Sequence, residues 1–376
     1  MAGIYIHIPF CRQACNYCNF HFSTSLRYKN EFVTALLNEI KLQQQNNYLQ
    51  GATVETIYFG GGTPSLLSAE ELQQIMDTLH QSYIITEGAE ITLEANPDDV
   101  TVELLIVWKQ QGINRLSIGI QSLFDEDLQW MNRAHTAEEA RQVISKARDA
   151  GFEHFSVDLI YGTPELTDEH WQYNLDWVLQ QGINHLSCYA LTVEPKTPLQ
   201  KLIRTHQRAD VDALQQSRQF IQLMNRMETA GFEHYEISNF AKPGQRSKHN
   251  SSYWRGVPYL GLGPSAHSFN GSSRQWNVSN NQQYIQALQQ NEIPFEKEEL
   301  TTTQQLNEYI MTSLRLMEGC DLSWVEEKFG ADKKETLLLE AARFIHLQWM
   351  KEQKHHLILT KEGKLFADKI AGELFF

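Results

Sequence analysis

Three cysteines close together near the N-terminus are the residues of this sequence best suited to metal chemistry. Cys11, Cys15 and Cys18 are separated by three and by two residues and follow an apolar run. Thiolates at this spacing on one tight loop can bind a single inorganic centre. Two centres fit the spacing. One is an iron–sulfur cluster with a free iron position for a substrate, and the other is a structural zinc ion with His21 as fourth ligand.

A glycine-rich turn is a second candidate for ligand binding. Gly60-Gly61-Gly62-Thr63-Pro64 follows the apolar run Val54–Phe59. Consecutive glycines let a backbone approach a ligand closely, with open amide donors and no Cβ in the way. Glycine runs also occur in simple turns, so the residues alone leave both interpretations open.

Two acidic residues lie at or within apolar runs. Glu94 ends the run Glu90–Glu94, and Asp158 lies inside Phe155–Tyr161. A carboxylate at the carboxyl end of a parallel strand points towards the ligand-binding mouth of such folds. A charge inside an apolar strand is costly unless it is paired, hydrogen-bonded or used. Glu94 is equally compatible with a helix-capping or solvated acid.

Alternating strand and helix patterns must position these residues. The predicted strands are Gly3–Ile8, Val54–Phe59, Glu90–Glu94, Arg115–Ile118, Phe155–Tyr161 and His185–Leu191. The predicted helices between them include Asn30–Gln44, Ala69–His80, Ala137–Ala150 and Asp168–Gln180. Six alternations imply parallel strands joined by right-handed helical crossovers. We therefore predict an α/β fold with a partial (β/α)6 barrel or open sheet, followed after about Pro195 by helices and irregular segments.

Two short internal sequence repeats, together called the sequence echo, support this organisation. Gln110–Asn114 returns as Gln180–Asn184, and Ala150–His154 returns as Ala230–His234. In each segment a glycine would close the last turn of a helix before a strand begins. The echo therefore marks structural βα units and not binding sites.

The rest of the chain divides into two further regions. We predict a barrel domain at 1–200, an extension at 201–300 that contains an ordered loop at Gly256–Ser272, and a terminal domain at 301–376. The terminal pattern consists of helices at Thr302–Met317, Leu322–Phe329 and Lys334–Gln353, a hairpin-like segment at His356–Thr360 and a last helix from Lys361. This order predicts a mostly helical, winged-helix-like domain.

Composition excludes several classes of protein. The 376 residues are 41% hydrophobic and 21% charged, which is ordinary for a globular chain and excludes a mostly disordered one. A net charge of −14 repels phosphate backbones, so nucleic acid is not expected as a partner. No apolar run is long enough to span a membrane, and no secretory signal is visible. We expect a cytoplasmic protein, in which Cys188 and Cys320 are buried apolar residues.

The opening motif resembles a known superfamily. Tyr5-Ile-His-Ile-Pro-Phe-Cys11-x3-Cys15-x-Tyr17-Cys18 is similar to the start of radical S-adenosylmethionine (SAM) proteins, specifically the oxygen-independent coproporphyrinogen III oxidase-like branch. In that superfamily three cysteines hold a [4Fe-4S] cluster, and SAM chelates the fourth iron. The resemblance implies that this cluster, when reduced, donates one electron to SAM and generates a 5′-deoxyadenosyl radical.

The resemblance also implies a set of SAM contacts. It places Tyr5 beside the cluster, Gly61, Gly62 and Thr63 at the methionyl amino group, and Glu94, Gln121, Arg133 and Asp158 at the ribose, carboxylate and neighbouring groups. The family usually has Gly-Arg-x-His where this chain has Asn132-Arg133-Ala134-His135.

Two features separate oxidases from haem chaperones in this branch. The oxidases carry a further cysteine two residues after the third, where this chain has Phe20. His249-Asn250-x2-Tyr253-Trp254, here called the haem motif, resembles the motif of chaperones that bind haem and pass it to acceptor proteins. His249 is then either an iron ligand or a hydrogen-bonded histidine beside packed aromatics.

These resemblances lead to one expected function and one alternative. We expect a haem chaperone that carries a [4Fe-4S] cluster and exchangeable SAM and delivers haem to acceptor haemoproteins. The alternative is an oxygen-independent coproporphyrinogen III oxidase, which decarboxylates propionates to vinyl groups. Peripheral contact with a membrane stays open, because haem acceptors are often membrane proteins.

Overall fold

A computed structural model describes the whole chain, Met1–Phe376. The strands are β1 (Ala2–Ile8), β2 (Val54–Gly61), β3 (Ile85–Ala95), β4 (Arg115–Gln121), β5 (His154–Tyr161), β6 (His185–Ala190), β7 (Glu233–Glu236), β8 (Asn239–Ala241), β9 (Tyr259–Leu262), β10 (His267–Phe269), β11 (Ser273–Asn277), β12 (Phe295–Glu299), β13 (Cys320–Asp321), β14 (Met350–Gln353) and β15 (His356–Leu359). The helices are α1 (Lys29–Gln45), α2 (Ala69–Ser82), α3 (Val102–Gln110), α4 (Asp125–Trp130), α5 (Ala137–Asp149), α6 (Asp168–Gln180), α7 (Pro198–Arg204), α8 (Ala213–Thr229), α9 (Lys248–Trp254), α10 (Asn281–Gln289), α11 (Thr302–Leu314), α12 (Leu322–Phe329), α13 (Ala331–His346), α14 (Lys361–Lys364) and α15 (Ala367–Glu373), with short 3₁₀ turns at Pro64–Leu66 and Pro97–Asp99.

Six parallel strands form the centre of the molecule. β1 to β6 lie side by side in chain order within a twelve-stranded sheet, and helices cross over between them. The sheet does not close, because β12 and β7 form two separate edges. The predicted α/β fold with a partial barrel of six parallel units is therefore confirmed.

The chain after Pro195 contributes more sheet than the sequence predicts. β7 and β8 extend the sheet beyond β6, while β9 pairs in parallel with β1 and leads into the antiparallel strands β10 to β12. The expected helices occur here, but the expectation of irregular segments between them was wrong for β7 to β12, and the predicted loop at Gly256–Ser272 contains β9 and β10. These strands have three to five residues each, so pairing with neighbours decides them and local alternation does not.

Left-handed glycines end four of the helices, as the sequence echo predicts. Gly112, Gly151, Gly182 and Gly231 have φ angles of 95°, 82°, 62° and 74°. Each follows a helix end and precedes a strand of the main sheet. A residue with a Cβ is strained at such angles, which explains why glycine recurs at these positions.

A C-terminal unit has its own hydrophobic core. Sixteen buried residues between Leu306 and Leu374 form a cluster separate from the 59-residue core of the main sheet. The unit contains α11 to α15 and the small antiparallel sheet β13-β15-β14, so a mostly helical terminal domain is confirmed. The predicted helix Lys334–Gln353 is wrong at its end, because α13 stops at His346 and the chain turns into β14. The boundaries near residues 200 and 300 stay predictions.

Polar side chains from alternate positions of the parallel strands form one layer on the face of the sheet opposite the main apolar core. Tyr58 on β2 contacts Glu94 on β3, and Ser117 on β4 contacts Asp158 on β5. α9 covers this layer at the amino ends of the strands, where His249 contacts Thr56. At the opposite end of the layer, near the carboxyl ends of the strands, lies a cavity.

Candidate functional site

A cavity of about 430 Å³ lies at the carboxyl ends of the parallel strands. Its wall includes ten residues that the sequence predicts as cluster or SAM ligands: Cys11, Cys15, Cys18, Gly61, Gly62, Thr63, Glu94, Gln121, Arg133 and Asp158. They come from separate strands and loops, and the parallel topology brings them together because parallel strands end at one edge.

The cysteine loop, residues 11–18, is held against the segment that follows α4. The backbone N–H of Asn16 donates to the carbonyl of Met131 at 3.1 Å. In the opposite direction, Asn132 Nδ2 donates to the carbonyl of Ala14 at 2.7 Å. These bonds fix the loop before any ligand binds, so the thiols are presented from a defined position.

The three thiols are half-buried and unpaired with one another. Burial raises the pKa of Cys11 to about 11 and also raises the pKa of Cys18. The thiolate form is therefore disfavoured unless a cation compensates it, and a metal centre supplies such a charge. Arg133 Nη1 lies 3.5 Å from Cys15 Sγ and provides a partial compensation at one thiol.

The structure does not bring His21 to the thiols. His21 Nε2 is 2.6 Å from Asn281 Oδ1, and the side chain is not part of the cavity wall. No group of three or more His, Cys, Asp or Glu side chains is arranged to hold a single metal ion. The zinc alternative with His21 as fourth ligand is therefore not supported, whereas a cluster, being larger, takes its ligands farther apart.

Arg133 has one buried donor that no protein group satisfies. Its Nη2 donates to Asn96 Oδ1 at 2.6 Å and to the carbonyl of Gly119 at 3.1 Å, while its Nε has no partner. A buried donor of this kind is suited to an anionic ligand group. The preceding residue, Asn132, has a φ of 57°, a left-handed conformation that asparagine tolerates better than most residues. This accounts for asparagine where the resembling family has glycine.

Two carboxylates of the cavity wall have raised pKa values. Burial, followed by the charge of Asp158, raises the pKa of Glu94 to about 7, although Tyr58 donates to Glu94 Oε1 at 2.7 Å. Burial also raises the pKa of Asp158 to about 6, against the hydrogen bond from Ser117 Oγ at 3.2 Å. Both groups can accept hydrogen bonds from ligand hydroxyl or amino groups, and a cationic ligand would favour their charged forms.

The glycine-rich turn serves packing as well as the cavity. The N–H groups of Gly62 and Thr63 donate to the carbonyls of Ile8 and Phe10 at 2.9 Å and 2.7 Å. The expectation of open amide donors is therefore wrong for these two residues. A Cβ on Gly62 would lie 2.5 Å from the carbonyl oxygen of Phe10, so glycine is required there by the chain that leads into the cysteine loop.

Tyr5 lies behind the cavity wall and not in it. Its hydroxyl is 3.1 Å from His7 Nδ1, and its ring lies 6.2 Å from that of Tyr58, nearly parallel to it. A Cβ on Gly60 would lie 3.0 Å from the Tyr5 ring. Any influence of Tyr5 on a cavity ligand would therefore act through its neighbours.

The haem motif lies on α9, beneath the cavity. His249 is 2% exposed, with Nδ1 2.8 Å from Thr56 Oγ1 and Nε2 2.9 Å from the Tyr253 hydroxyl. Burial lowers its pKa to about 3, so the imidazole is neutral. Both ring nitrogens have partners in this conformation, which corresponds to a hydrogen-bonded histidine. Iron ligation by His249 would require one of these bonds to break.

The other motif residues lie on the same short helix, and of these Tyr253 contacts this histidine. Tyr253 packs edge-on against His249, with 4.9 Å between the ring centroids. The guanidinium of Arg315 lies over the ring of Trp254, 5.0 Å from its centroid. The backbone N–H of Asn250 donates to Ser247 Oγ at 3.3 Å, which caps the start of the helix. None of the four motif residues lines the cavity.

Comparison with known proteins places the chain in a family. The Radical SAM superfamily matches residues 5–178, and the HemN C-terminal domain matches residues 300–366. The chain is 32% identical to a heme chaperone HemW from Bacillus subtilis, over 99% of this chain and 98% of the relative. The chain belongs to the HemW family.

Further members of the HemW family are similar in sequence to this chain over much of its length. A heme chaperone HemW from Synechocystis is 35% identical over 92% of this chain and 85% of its own, and one from Escherichia coli is 38% identical over 70% and 69%. The structure of coproporphyrinogen III oxidase (HemN) from Escherichia coli superposes with a TM-score of 0.86 over 100% of this chain and 90% of that one. At 23% identity this last likeness shows the fold. None of the helices combines the length and the apolar character that a membrane span requires.

Radical SAM proteins such as the HemW family carry a [4Fe-4S] cluster and SAM, and the cavity residues fit both groups. Three free thiols lie in one wall, and the unpartnered Nε of Arg133 and the carboxylates Glu94 and Asp158 complement a zwitterionic ligand.

Several side chains of this HemW-family site were missed in the sequence. Ser117 and Asn96 line the cavity and orient Asp158 and Arg133, and Tyr58 orients Glu94 from behind the wall. Glu90 accepts hydrogen bonds from the start of α9. Polar residues at alternate positions of otherwise apolar strands were the available signal, because such positions share one face of a sheet.

Proposed function

We propose that this chain is a haem chaperone that binds haem and transfers it to acceptor haemoproteins. The observation that carries the proposal is the similarity over nearly the whole chain to relatives named heme chaperone HemW. The haem motif and Phe20, which occupies the position of the oxidases' additional cysteine, support the same function.

The cavity would hold a [4Fe-4S] cluster and exchangeable SAM. Cys11, Cys15 and Cys18 would ligate the cluster, and Arg133 would donate its free Nε to an anionic ligand group. Glu94 and Asp158 would accept hydrogen bonds from ribose and amino groups. When bound, the reduced cluster supplies one electron for reductive cleavage of SAM.

Features of the cavity speak against oxidase turnover. Coproporphyrinogen III carries four propionates, and Arg133 is the one cationic side chain in the cavity wall, beside the acidic Glu94, Asp158 and Glu194. The cavity wall therefore offers one cationic side chain for the four carboxylates of such a substrate. Phe20 is 65% exposed at the cavity rim, in place of a thiol.

The test is stoichiometric haem uptake and release. Cluster-reconstituted protein, prepared without oxygen, is titrated with haem and followed by absorbance, and then mixed with apomyoglobin as acceptor. We expect one haem per chain and transfer to the acceptor. Uptake without a fixed stoichiometry, or no transfer, would contradict the chaperone function.

A parallel assay distinguishes the oxidase. The same protein receives SAM, a strong one-electron donor and coproporphyrinogen III, and protoporphyrinogen IX is quantified. We expect no product over many turnovers. For the cluster itself, Cys18→Ser should lower the iron content, whereas Cys320→Ser should not, because Cys320 is buried in the core of the C-terminal unit.

A further inference from the structure

The ring of Tyr58 lies between the haem motif and the cavity. It stacks on the imidazole of His249 with 4.9 Å between centroids and 22° between planes. Its hydroxyl, at the other end of the side chain, donates to Glu94 Oε1 at 2.7 Å. Glu94 lines the cavity, whereas Tyr58 and His249 do not. A single side chain therefore joins two sites that share no wall residue.

The polar contacts of this connection are fixed in direction. Burial, followed by the charge of Glu94, raises the pKa of Tyr58 well above its ordinary value, so the phenol keeps its proton and donates. His249 is held against the ring from both sides of the imidazole, by Thr56 and by Tyr253. The orientation of Glu94 therefore depends on Tyr58, and the position of the Tyr58 ring depends on its packing against His249 and, at a greater distance, Tyr5.

We propose that Tyr58 is a positioning residue that couples α9 to the SAM cavity. Displacement of His249 removes one of the two aromatic rings that pack on Tyr58 and leaves only Tyr5, so that Tyr58 holds the carboxylate of Glu94 less firmly and SAM binds more weakly. By thermodynamic reciprocity, SAM bound in the cavity stabilises His249 in its buried position. The identification of SAM as the cavity ligand rests on the proposed function, whereas the coupling between α9 and the cavity rests on the contacts alone.

The first test compares the loss of two hydrogen bonds of the same kind, each from a tyrosine hydroxyl to a buried glutamate. Tyr58→Phe removes the donor to Glu94, and we expect SAM to bind about tenfold more weakly to the reconstituted protein. The matched control is Tyr284→Phe, which removes a hydroxyl that donates to the buried Glu39 at 2.5 Å, away from the cavity. Equilibrium dialysis with labelled SAM should show an unchanged affinity for this control.

The second test measures the coupling. His249→Ala should weaken SAM binding by about threefold to tenfold in the wild-type background and have no added effect in Tyr58→Phe. Hydrogen exchange gives an independent readout, because SAM should slow exchange at residues 248–254 in the wild type and not in Tyr58→Phe. If Tyr58 had a purely structural role, SAM would slow exchange at residues 248–254 in Tyr58→Phe as it does in the wild type.

The outcomes separate this inference from the proposed function. Additive effects of the two substitutions, or equal SAM affinities of Tyr58→Phe and Tyr284→Phe, would overturn the coupling. If Tyr58→Phe does not fold, His249→Ala with unchanged SAM affinity would overturn it as well. A protein that takes up no haem and still shows the coupling would contradict only the chaperone function.

Discussion

At the scale of single residues, the cavity depends on side chains held in unusual states. Asn132 adopts a left-handed backbone conformation and bonds the cysteine loop, and Glu94 and Asp158 are carboxylic acids with pKa values near neutrality. Arg133 keeps a buried donor free. Each of these states costs free energy in the absence of ligand, which is typical of a site arranged for binding.

Substitution of Asn132 should separate backbone strain from hydrogen bonding. Asn132→Val places a β-branched residue at φ 57° and should lower the free energy of unfolding by about 2–3 kcal/mol. Asn132→Gly keeps the conformation and loses only the bond to Ala14, at about 1 kcal/mol. Urea unfolding of the apoprotein measures both. If the free energy of unfolding fell equally in the two variants, the left-handed conformation would not be the cause of the loss in Asn132→Val.

Glu94 predicts a definite pH dependence of stability. Because its pKa rises from an ordinary 4.5 to about 7 on folding, the native state binds more protons than the unfolded state between these values. The free energy of unfolding of the wild type should therefore fall relative to that of Glu94→Gln as the pH rises from about 4.5 through about 7. Once the pH has passed this range, the difference between the two proteins should level off. Urea unfolding of the apoproteins at several pH values tests this.

An exposed acidic position provides the control for that experiment. Glu153→Gln, at an exposed residue, should follow the wild type across the same pH range. Parallel curves for the wild type and Glu94→Gln would mean that Glu94 titrates at its ordinary value.

At the scale of elements, α9 shows how tertiary contacts create a short helix. Seven residues are too few for an isolated helix to be stable in water. The carboxylate of Glu90 on β3 accepts from the N–H groups of His249 and Lys248 at 2.9 Å and 3.1 Å, which satisfies the helix start. The strand beneath therefore decides where the haem motif is helical.

Removal of that negative charge should loosen the helix. Glu90→Gln should lower the free energy of unfolding by about 1–3 kcal/mol and speed hydrogen exchange at residues 248–254. Glu103→Gln is the control, because Glu103 lies in the first turn of α3 and is exposed. Unchanged exchange in α9 after Glu90→Gln would show that packing alone holds the helix.

At the scale of the whole molecule, the C-terminal unit covers an edge of the main sheet. The N–H of Met317 donates to the carbonyl of Tyr235 on β7 at 3.0 Å, next to an isolated bridge between Glu236 and Leu316. Arg246 joins the two parts, with ion pairs to Glu233 at 3.0 Å and Glu318 at 2.7 Å. An unpaired strand edge can pair with other chains, and these contacts shield part of the β7 edge from such pairing.

Arg246 should therefore matter for the cooperativity of unfolding. Arg246→Ala removes the ion pairs to both parts, and we expect a loss of about 1–2 kcal/mol and a broadened or split thermal transition. Arg343→Ala is the control, because its pair with Glu373 lies inside the C-terminal unit. A sharp single transition in Arg246→Ala would show that the main-chain bonds alone join the two parts.

The sequence by itself determined the parallel core and most of the cavity wall. Strong alternation and glycine helix ends marked β1 to β6 and their crossovers, and the resemblance of the motifs picked out ten residues that line one cavity. These features are local in sequence, or follow from the rule that parallel strands end at one edge. The same rule could not place Tyr5, which lies one layer behind the wall.

Only the tertiary structure decided what lies beneath the cavity. β7 to β12 are too short to be recognised from periodicity. α9 is helical because Glu90 and Thr56 form hydrogen bonds with its residue His249. The stack of His249 on Tyr58, and its link to Glu94, joins residues far apart in the chain. Such contacts depend on the pairing of distant strands, and no local pattern of residues specifies that pairing.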